Sequence, residues 1–394
     1  MSSIGARGTA RTRRPLIAIS VAKRLTTSRA LAGVVLAGAL AAAAVPAGAA
    51  PAAALPSPAG SIGFVDGPGT SAPPATLGSA SSMIYSMLPF GRDSQAVGAQ
   101  VSSVNGPAET LSPAGTRQTG TIGFSPSLEH CLVGGCWLTW SNGYTGDVYD
   151  TGSQSITITL PAQANAFYFY AEPDQFMTFT MTATTSSGAT SGPISVAGEA
   201  GAQYFGFYTT GAAPLKTITV TGSDPDGFAI GEFGISAPYQ FILPDNAITS
   251  ASELNQKHHK PHLAIDIPVP TGTAYYAITS GTVTRTNPKG DCGMGTILQG
   301  DDGVQYTYCH GSAWLVPNGA RVAAGTELGL TGNTGHSEGP HLHFQIAYPA
   351  AGSRTLRCPQ NLLFTLYTNA VSGSRTTVPN PQDLSPNALV CVKS

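Results

Sequence analysis

Short runs of alternating hydroxyl and apolar side chains leave this chain few ways to fold. Residues 155–160 read SITITL, 166–171 AFYFYA, 177–182 MTFTMT, 204–208 YFGFY and 215–221 LKTITVT. On an extended strand such alternation lines one face with apolar groups and the other with hydroxyls. The runs are separated by Gly, Pro, Asn or Asp, and no helical periodicity lies between them. An antiparallel β-sandwich is therefore expected over residues 83–238. Breakers are plentiful, with 47 Gly and 30 Pro among 394 residues. At roughly 100–200 residues per domain, the length suits two domains. The second is expected over 239–394, where the pattern is again strand-rich, and residues 238–256 read as a connecting segment.

Charge narrows the function classes. Charged residues make up 10% of the chain, against roughly 25% in a typical soluble domain. Seven of the 19 Lys+Arg precede residue 50, where there is no Asp or Glu. Residues 50–394 carry the remaining 12 basic side chains against 21 acidic ones. That balance excludes a phosphate-reading surface, so no nucleic-acid partner is expected.

Residues 1–49 have the three-part pattern of a secretory signal. A basic region runs to Arg29, apolar residues 30–45 come next, and Ala47-Gly48-Ala49 supplies the small-residue site, with cleavage expected after Ala49. The apolar stretch of sixteen residues, mostly Ala and Gly, is short for a span that needs about twenty. No later stretch is long and apolar enough to span, so no membrane association is expected after cleavage. Residues 50–82, rich in Ala, Pro, Gly and Ser, read as a flexible lead-in.

Export decides how the cysteines are read. Cys131, Cys136, Cys292, Cys309, Cys358 and Cys391 form an even set bound for an oxidising compartment, where disulfides are the default. Proximity favours Cys131–Cys136, Cys292–Cys309 and Cys358–Cys391. Residues 295–299 and 304–309 read as strands joined by the turn Gly300-Asp301-Asp302-Gly303, a hairpin that brings Cys292 towards Cys309. No CxxC pair occurs to support a thiolate metal site.

Histidine carries the functional signal. Seven of the eight histidines lie between His258 and His343. His262-Leu263-Ala264-Ile265-Asp266 offers an imidazole and a carboxylate, both suitable ligands for zinc. In Gly339-Pro340-His341-Leu342-His343-Phe344, strand alternation sends His341 and His343 to one face and Leu342 and Phe344 to the core. A third element, Tyr308-Cys309-His310, ends the proposed hairpin. Three such elements on β-structure suit a hydrolytic zinc site with three protein ligands and an open position.

These blocks, HLAID, YCH and above all GNTGHSEGPHLHFQI at 332–346, resemble the signature blocks of the lysostaphin/LytM-type zinc metallopeptidases. The resemblance covers residues 239–363 and implies a small antiparallel β-barrel-like peptidase domain that cleaves peptides of bacterial peptidoglycan. It also implies that His262, Asp266 and His343 bind one Zn²⁺, with His259 in reserve for His262 and His258 close by. His341 would be the general base and His310 would steady the developing oxyanion. His336 reads as a solvated loop residue, and His130 receives no role.

The sandwich is less legible. Trp137, Trp140, Tyr144 and Tyr149 are weighed as exposed platforms for wall glycan against core residues, and Asp147, Asp150, Asp224 and Asp226 as Ca²⁺ ligands against turn formers. The expectation is a secreted, monomeric, all-β zinc endopeptidase acting at the cell wall. The alternatives are a broader extracellular zinc protease of bacteriolytic or elastolytic type, and a non-catalytic wall-binding or amidase-activating protein.

Overall fold

The computed structural model describes residues 62–79, 83–112, 115–211, 213–256, 263–350, 354–372 and 376–387. Over these residues the alternating runs become strands of a nearly all-β, mostly antiparallel protein. Ser155–Thr159, Ala166–Pro173, Thr178–Thr185, Gln203–Thr209 and Thr217–Gly222 belong to one 13-stranded sheet. In Ser155–Thr159 the isoleucines Ile156 and Ile158 are buried. Thr157 faces outward, its hydroxyl 3.3 Å from that of Thr219 on the neighbouring strand.

This sheet folds over on itself. Thr121–Leu132 pairs through Gly123, Phe124 and Ser125 with Ser155–Thr159, and through its last four residues with Asp147–Asp150. One long strand thus passes from layer to layer. Ile156, Ile158, Ile218 and Val220 from one layer meet Phe167, Phe169, Phe205 and Phe207 from the other in a single core. Each such side chain contributes about 1.5–3 kcal/mol relative to exposure. Ala166–Pro173 is buried at every position, because a second core covers its other face. There Tyr168 and Tyr170 pack with Trp137, Trp140, Tyr85 and Tyr204.

Several expectations need correction. Part of the lead-in is structured: Ile62–Val65 adds an edge strand to Gln203–Thr209, and Phe64 packs 5.1 Å from Phe207, ring centre to ring centre. Four residues with two large apolar side chains are enough to dock on a preformed edge. Trp137, Trp140 and Tyr149 are buried and Tyr144 half-buried, so they are core and not a glycan platform. The indole N–H groups of Trp137 and Trp140 donate to the carboxylates of Glu172 and Glu232. The proposed calcium ligands have other partners. Asp147 lies 2.8 Å from His130 Nε2, Asp150 accepts from Gly152 N–H, and Asp224 accepts from the backbone of Asp226 and Gln175, as a turn former does.

The second sheet has nine strands, in the order Ala264–Ile267, Leu342–Tyr348, Gln305–Trp314, Met294–Gly300, Gly281–Arg285 and Arg321–Val322, with short strands off this path. Met294–Gly300 and Gln305–Trp314 form the expected hairpin, and Cys292 is bonded to Cys309. Cys131 is bonded to Cys136. Cys358 is also disulfide-bonded; its expected partner, Cys391, lies outside the described residues. A helix absent from the strand-rich reading spans Gln360–Ser372. Leu362, Leu363, Leu366, Tyr367 and Ala370 recur at helical spacing and are buried against the second sheet. The connecting segment is itself core, with Tyr239, Phe241, Ile242 and Leu243 buried. Among the described residues no helix is long and apolar enough to cross a membrane.

The two sheets share direct contacts. Asn165 donates from its side-chain amide to Ala324 O at 2.9 Å, and the Tyr85 hydroxyl lies 3.4 Å from Gly325 O. Val378–Pro379 runs parallel to Ala108–Ser112, which also pairs with Gly115–Gln118. In that small sheet Glu109 is 8% exposed, and burial pushes its carboxyl up from 4.5 to about 8, against the pull of Tyr239 N–H and Arg117. A raised carboxyl contributes stability that is complete below its unfolded value and is lost as pH rises through the folded one. Replacing Glu109 by Gln should therefore leave stability unchanged near pH 4 and raise it near pH 8, by about 1.4 kcal/mol per unit of the shift at most. Urea denaturation at the two pH values checks this; equal stabilities at both would refute it.

Candidate active site

Strand alternation builds the site. In Leu342–Tyr348, the side chains of Leu342, Phe344 and Ile346 are fully buried. His343 and the preceding His341 lie on the other face, with side-chain exposures of 15% and 16%. The neighbouring strand Ala264–Ile267 repeats the logic, with Ile265 and Ile267 in the core and Asp266 outside. The antiparallel register sets Asp266 directly opposite His343. Asp266 Oδ1 lies 2.7 Å from His343 Nδ1 and 3.6 Å from His341 Nε2.

His310 reaches this face by a different route. On the far side of Leu342–Tyr348, Cys309 is the residue opposite His343, so plain alternation would send His310 away from the site. Instead His310 has φ +69, and the pairing of Gln305–Trp314 with its neighbours shifts register around it. Left-handed backbone at a residue with a side chain costs about 1–2 kcal/mol. Here it turns the imidazole back, with ring centres 4.6 Å from His341 and 5.8 Å from His343.

Backbone carbonyls fix the histidine tautomers. His310 Nδ1 is 2.8 Å from Thr334 O, and His341 Nδ1 is 2.8 Å from Gly339 O. A carbonyl only accepts, so each Nδ1 carries the hydrogen and each neutral ring keeps its lone pair on Nε2. Burial pushes the His310 imidazole below its ordinary value, and His341 and His343 add to that.

The glycine-rich loop supplies the scaffold. Ser337 Oγ lies 3.2 Å from His341 Nδ1 and donates to Asn333 Oδ1 at 2.6 Å. Thr334 Oγ1 donates to Gly311 O at 2.6 Å and accepts from Met294 N–H at 2.9 Å. Sequence reasoning gives these residues no role, although they lie inside its most specific block. Nothing in their types marks a support, because their contacts cross three separate segments.

The structure therefore brings together four of the expected residues: Asp266, His310, His341 and His343. His262, and with it His258 and His259, lies outside the described residues. His336 is exposed, with its N–H bonded to Asp291 O. His130 is buried beside Asp147, remote in the first sheet. Among the described residues no group of three His, Cys, Asp or Glu is arranged to hold a metal ion. The donor chemistry nevertheless fits one. Asp266 Oδ1 and His343 Nδ1 lie 2.7 Å apart, against the roughly 3.3 Å between two donors on one tetrahedral zinc, and a third donor from His262 would complete the set.

Residues 260–355 match the family model described as Peptidase family M23. The chain is 36% identical over 90 residues to the peptidoglycan DD-endopeptidase ShyA of Vibrio cholerae, covering 23% of this chain and 21% of that protein. It is 37% identical over 84 residues to the DD-carboxypeptidase/endopeptidase Mpg of Neisseria meningitidis, covering 21% and 19%. The chain thus spans about a fifth of the length of these curated relatives. Among solved structures, the catalytic domain of the antimicrobial peptidase lysostaphin from Staphylococcus simulans is similar at 29% identity and TM-score 0.26, covering 29% of this chain and 98% of that one.

Proposed function

We propose that this protein is an exported zinc-dependent endopeptidase that hydrolyses peptide bonds of bacterial peptidoglycan. The observation that carries the reading is the convergence of Asp266, His310, His341 and His343 on one sheet face inside the matched M23 region. The endopeptidase names of ShyA and Mpg support the substrate class. The basic, apolar and small-residue stretches of residues 1–49 support export.

In this reading Asp266, His343 and His262 hold zinc. When bound, the ion supplies a Lewis acid that polarises a carbonyl and makes water acidic near neutral pH. The remaining work falls to the imidazoles. His341, held through Nδ1 by the Gly339 carbonyl, offers its Nε2 lone pair to the proton of the attacking water and returns that proton to the leaving amine, a contribution of about 10²–10⁴-fold. His310 has the same polarity, because Thr334 O occupies its Nδ1–H. It donates to a developing oxyanion only once Nε2 has gained a proton, and its burial opposes that gain. His310 therefore serves at rest as a second acceptor beside His341, and as an oxyanion donor only in its charged form.

Two measurements test this. The chain from residue 50 should contain one zinc per molecule and release peptides with new amino termini from purified peptidoglycan, and a chelator should stop the release. Metal without release, together with cleavage of casein, would favour the broader protease; absence of metal would leave a wall-binding protein. In the second, His341→Ala should keep zinc and lose at least about 10²-fold in kcat, whereas His343→Ala should lose both. The reverse pattern of metal retention would exchange the two assignments.

A further inference from the structure

His310 is the member of the site that strand alternation does not place, so something else must hold it. Its N–H donates to Cys292 O at 2.8 Å, while its chain neighbour Cys309 is covalently bonded to Cys292. The segment ending in Cys292 is thereby fastened to the His310 turn twice, once through sulfur and once through the backbone. The same segment reaches the glycine-rich loop, where His336 N–H donates to Asp291 O at 2.8 Å and Met294 N–H donates to Thr334 Oγ1 at 2.9 Å. The approach is close. A Cβ on Gly293 would lie 2.4 Å from the Thr334 carbonyl carbon, and one on Gly335 would lie 2.3 Å from Asp291 O. Thr334 closes the frame: its hydroxyl donates to Gly311 O, next to His310, and its carbonyl accepts the His310 Nδ1–H.

We infer that the Cys292–Cys309 disulfide and the Thr334 hydroxyl are positioning groups for His310. Together they hold its left-handed backbone and keep the ring in the Nδ1–H tautomer with Nε2 towards the site. Cys309 is the cross-strand neighbour of His343, whereas the hydroxyl of Thr334 is engaged with Met294 and Gly311. Loss of the Thr334 hydroxyl should therefore disturb His310 and spare the metal. The inference rests on the endopeptidase reading for its kinetic consequence, but not for its structural one.

The test uses the full chain and three variants: Cys292→Ser with Cys309→Ser, Thr334→Val, and Thr334→Ser. Nitrogen-15 spectra of labelled histidine report the His310 tautomer without any turnover. The unsubstituted chain should show one Nδ1–H form. The double serine variant and Thr334→Val should show a mixture, and Thr334→Ser should restore the single form. On a soluble wall peptide, kcat should fall by about 10–100-fold in the first two while KM stays within about twofold, and zinc content should be unchanged in Thr334→Val. A parallel pair, Cys131→Ser with Cys136→Ser, should leave tautomer and kcat as they were. A single Nδ1–H form and full kcat in both the double serine variant and Thr334→Val would overturn the inference. Should the double serine variant fail to fold, Thr334→Val against Thr334→Ser decides alone. If the unsubstituted chain proves inactive, the endopeptidase reading fails, while the tautomer spectra still decide the positioning role.

Discussion

The register of one strand decides whether this site can exist. A slip of one residue in Leu342–Tyr348 would put His343 into the core and Leu342, Phe344 and Ile346 into solvent. Three fully buried apolar side chains, each contributing about 1.5–3 kcal/mol, oppose that slip. The strand is also held on both flanks, by Ala264–Ile267 and by Gln305–Trp314, in registers that both converge on His343. Apolar packing that has no chemistry of its own thus fixes Asp266 against His343.

The second requirement is polarity. Two imidazoles beside one carboxylate could settle in several tautomers, and only some present a lone pair to a reacting proton. Carbonyls of Thr334 and Gly339 remove that freedom by occupying both Nδ1–H groups. Both acceptors belong to one glycine-rich loop, so a single piece of backbone orients both rings. The left-handed turn at His310 is the cost of bringing a third element to the same face, and the contacts around Cys292 and Thr334 offset it locally.

Much of this was legible in the sequence, because alternation is a local property. SITITL and AFYFYA declared their strands, the Gly300–Gly303 turn its hairpin, and HLH its shared face. What escaped was non-local. Ile62–Val65 sits in a stretch rich in Ala and Pro and becomes a strand only because the Gln203–Thr209 edge awaits it. The helix Gln360–Ser372 has no acidic residue in its first turn and no basic one in its last, so few local signals mark its ends. Trp137 and Trp140 could have faced either way; the carboxylates of buried Glu172 and half-buried Glu232, distant in sequence, decide that they face inward. His310 stands out by type, yet its route to the site depends on a bulge that no run of residue types announces.

The two sheets are joined by polar side chains as well as apolar ones, with Asn165 on Ala324 and Tyr85 on Gly325. The proposed peptidase thus carries its first sheet system as a directly packed neighbour. The face defined by His343 and Asp266 is proposed to hold a metal ion on nitrogen and oxygen. X-ray absorption at the zinc edge of the metal-loaded chain tests it most directly. Two imidazole nitrogens and one carboxylate oxygen at about 2.0–2.2 Å are expected. Scattering from sulfur at about 2.3 Å would place the ion on cysteine and contradict the assignment.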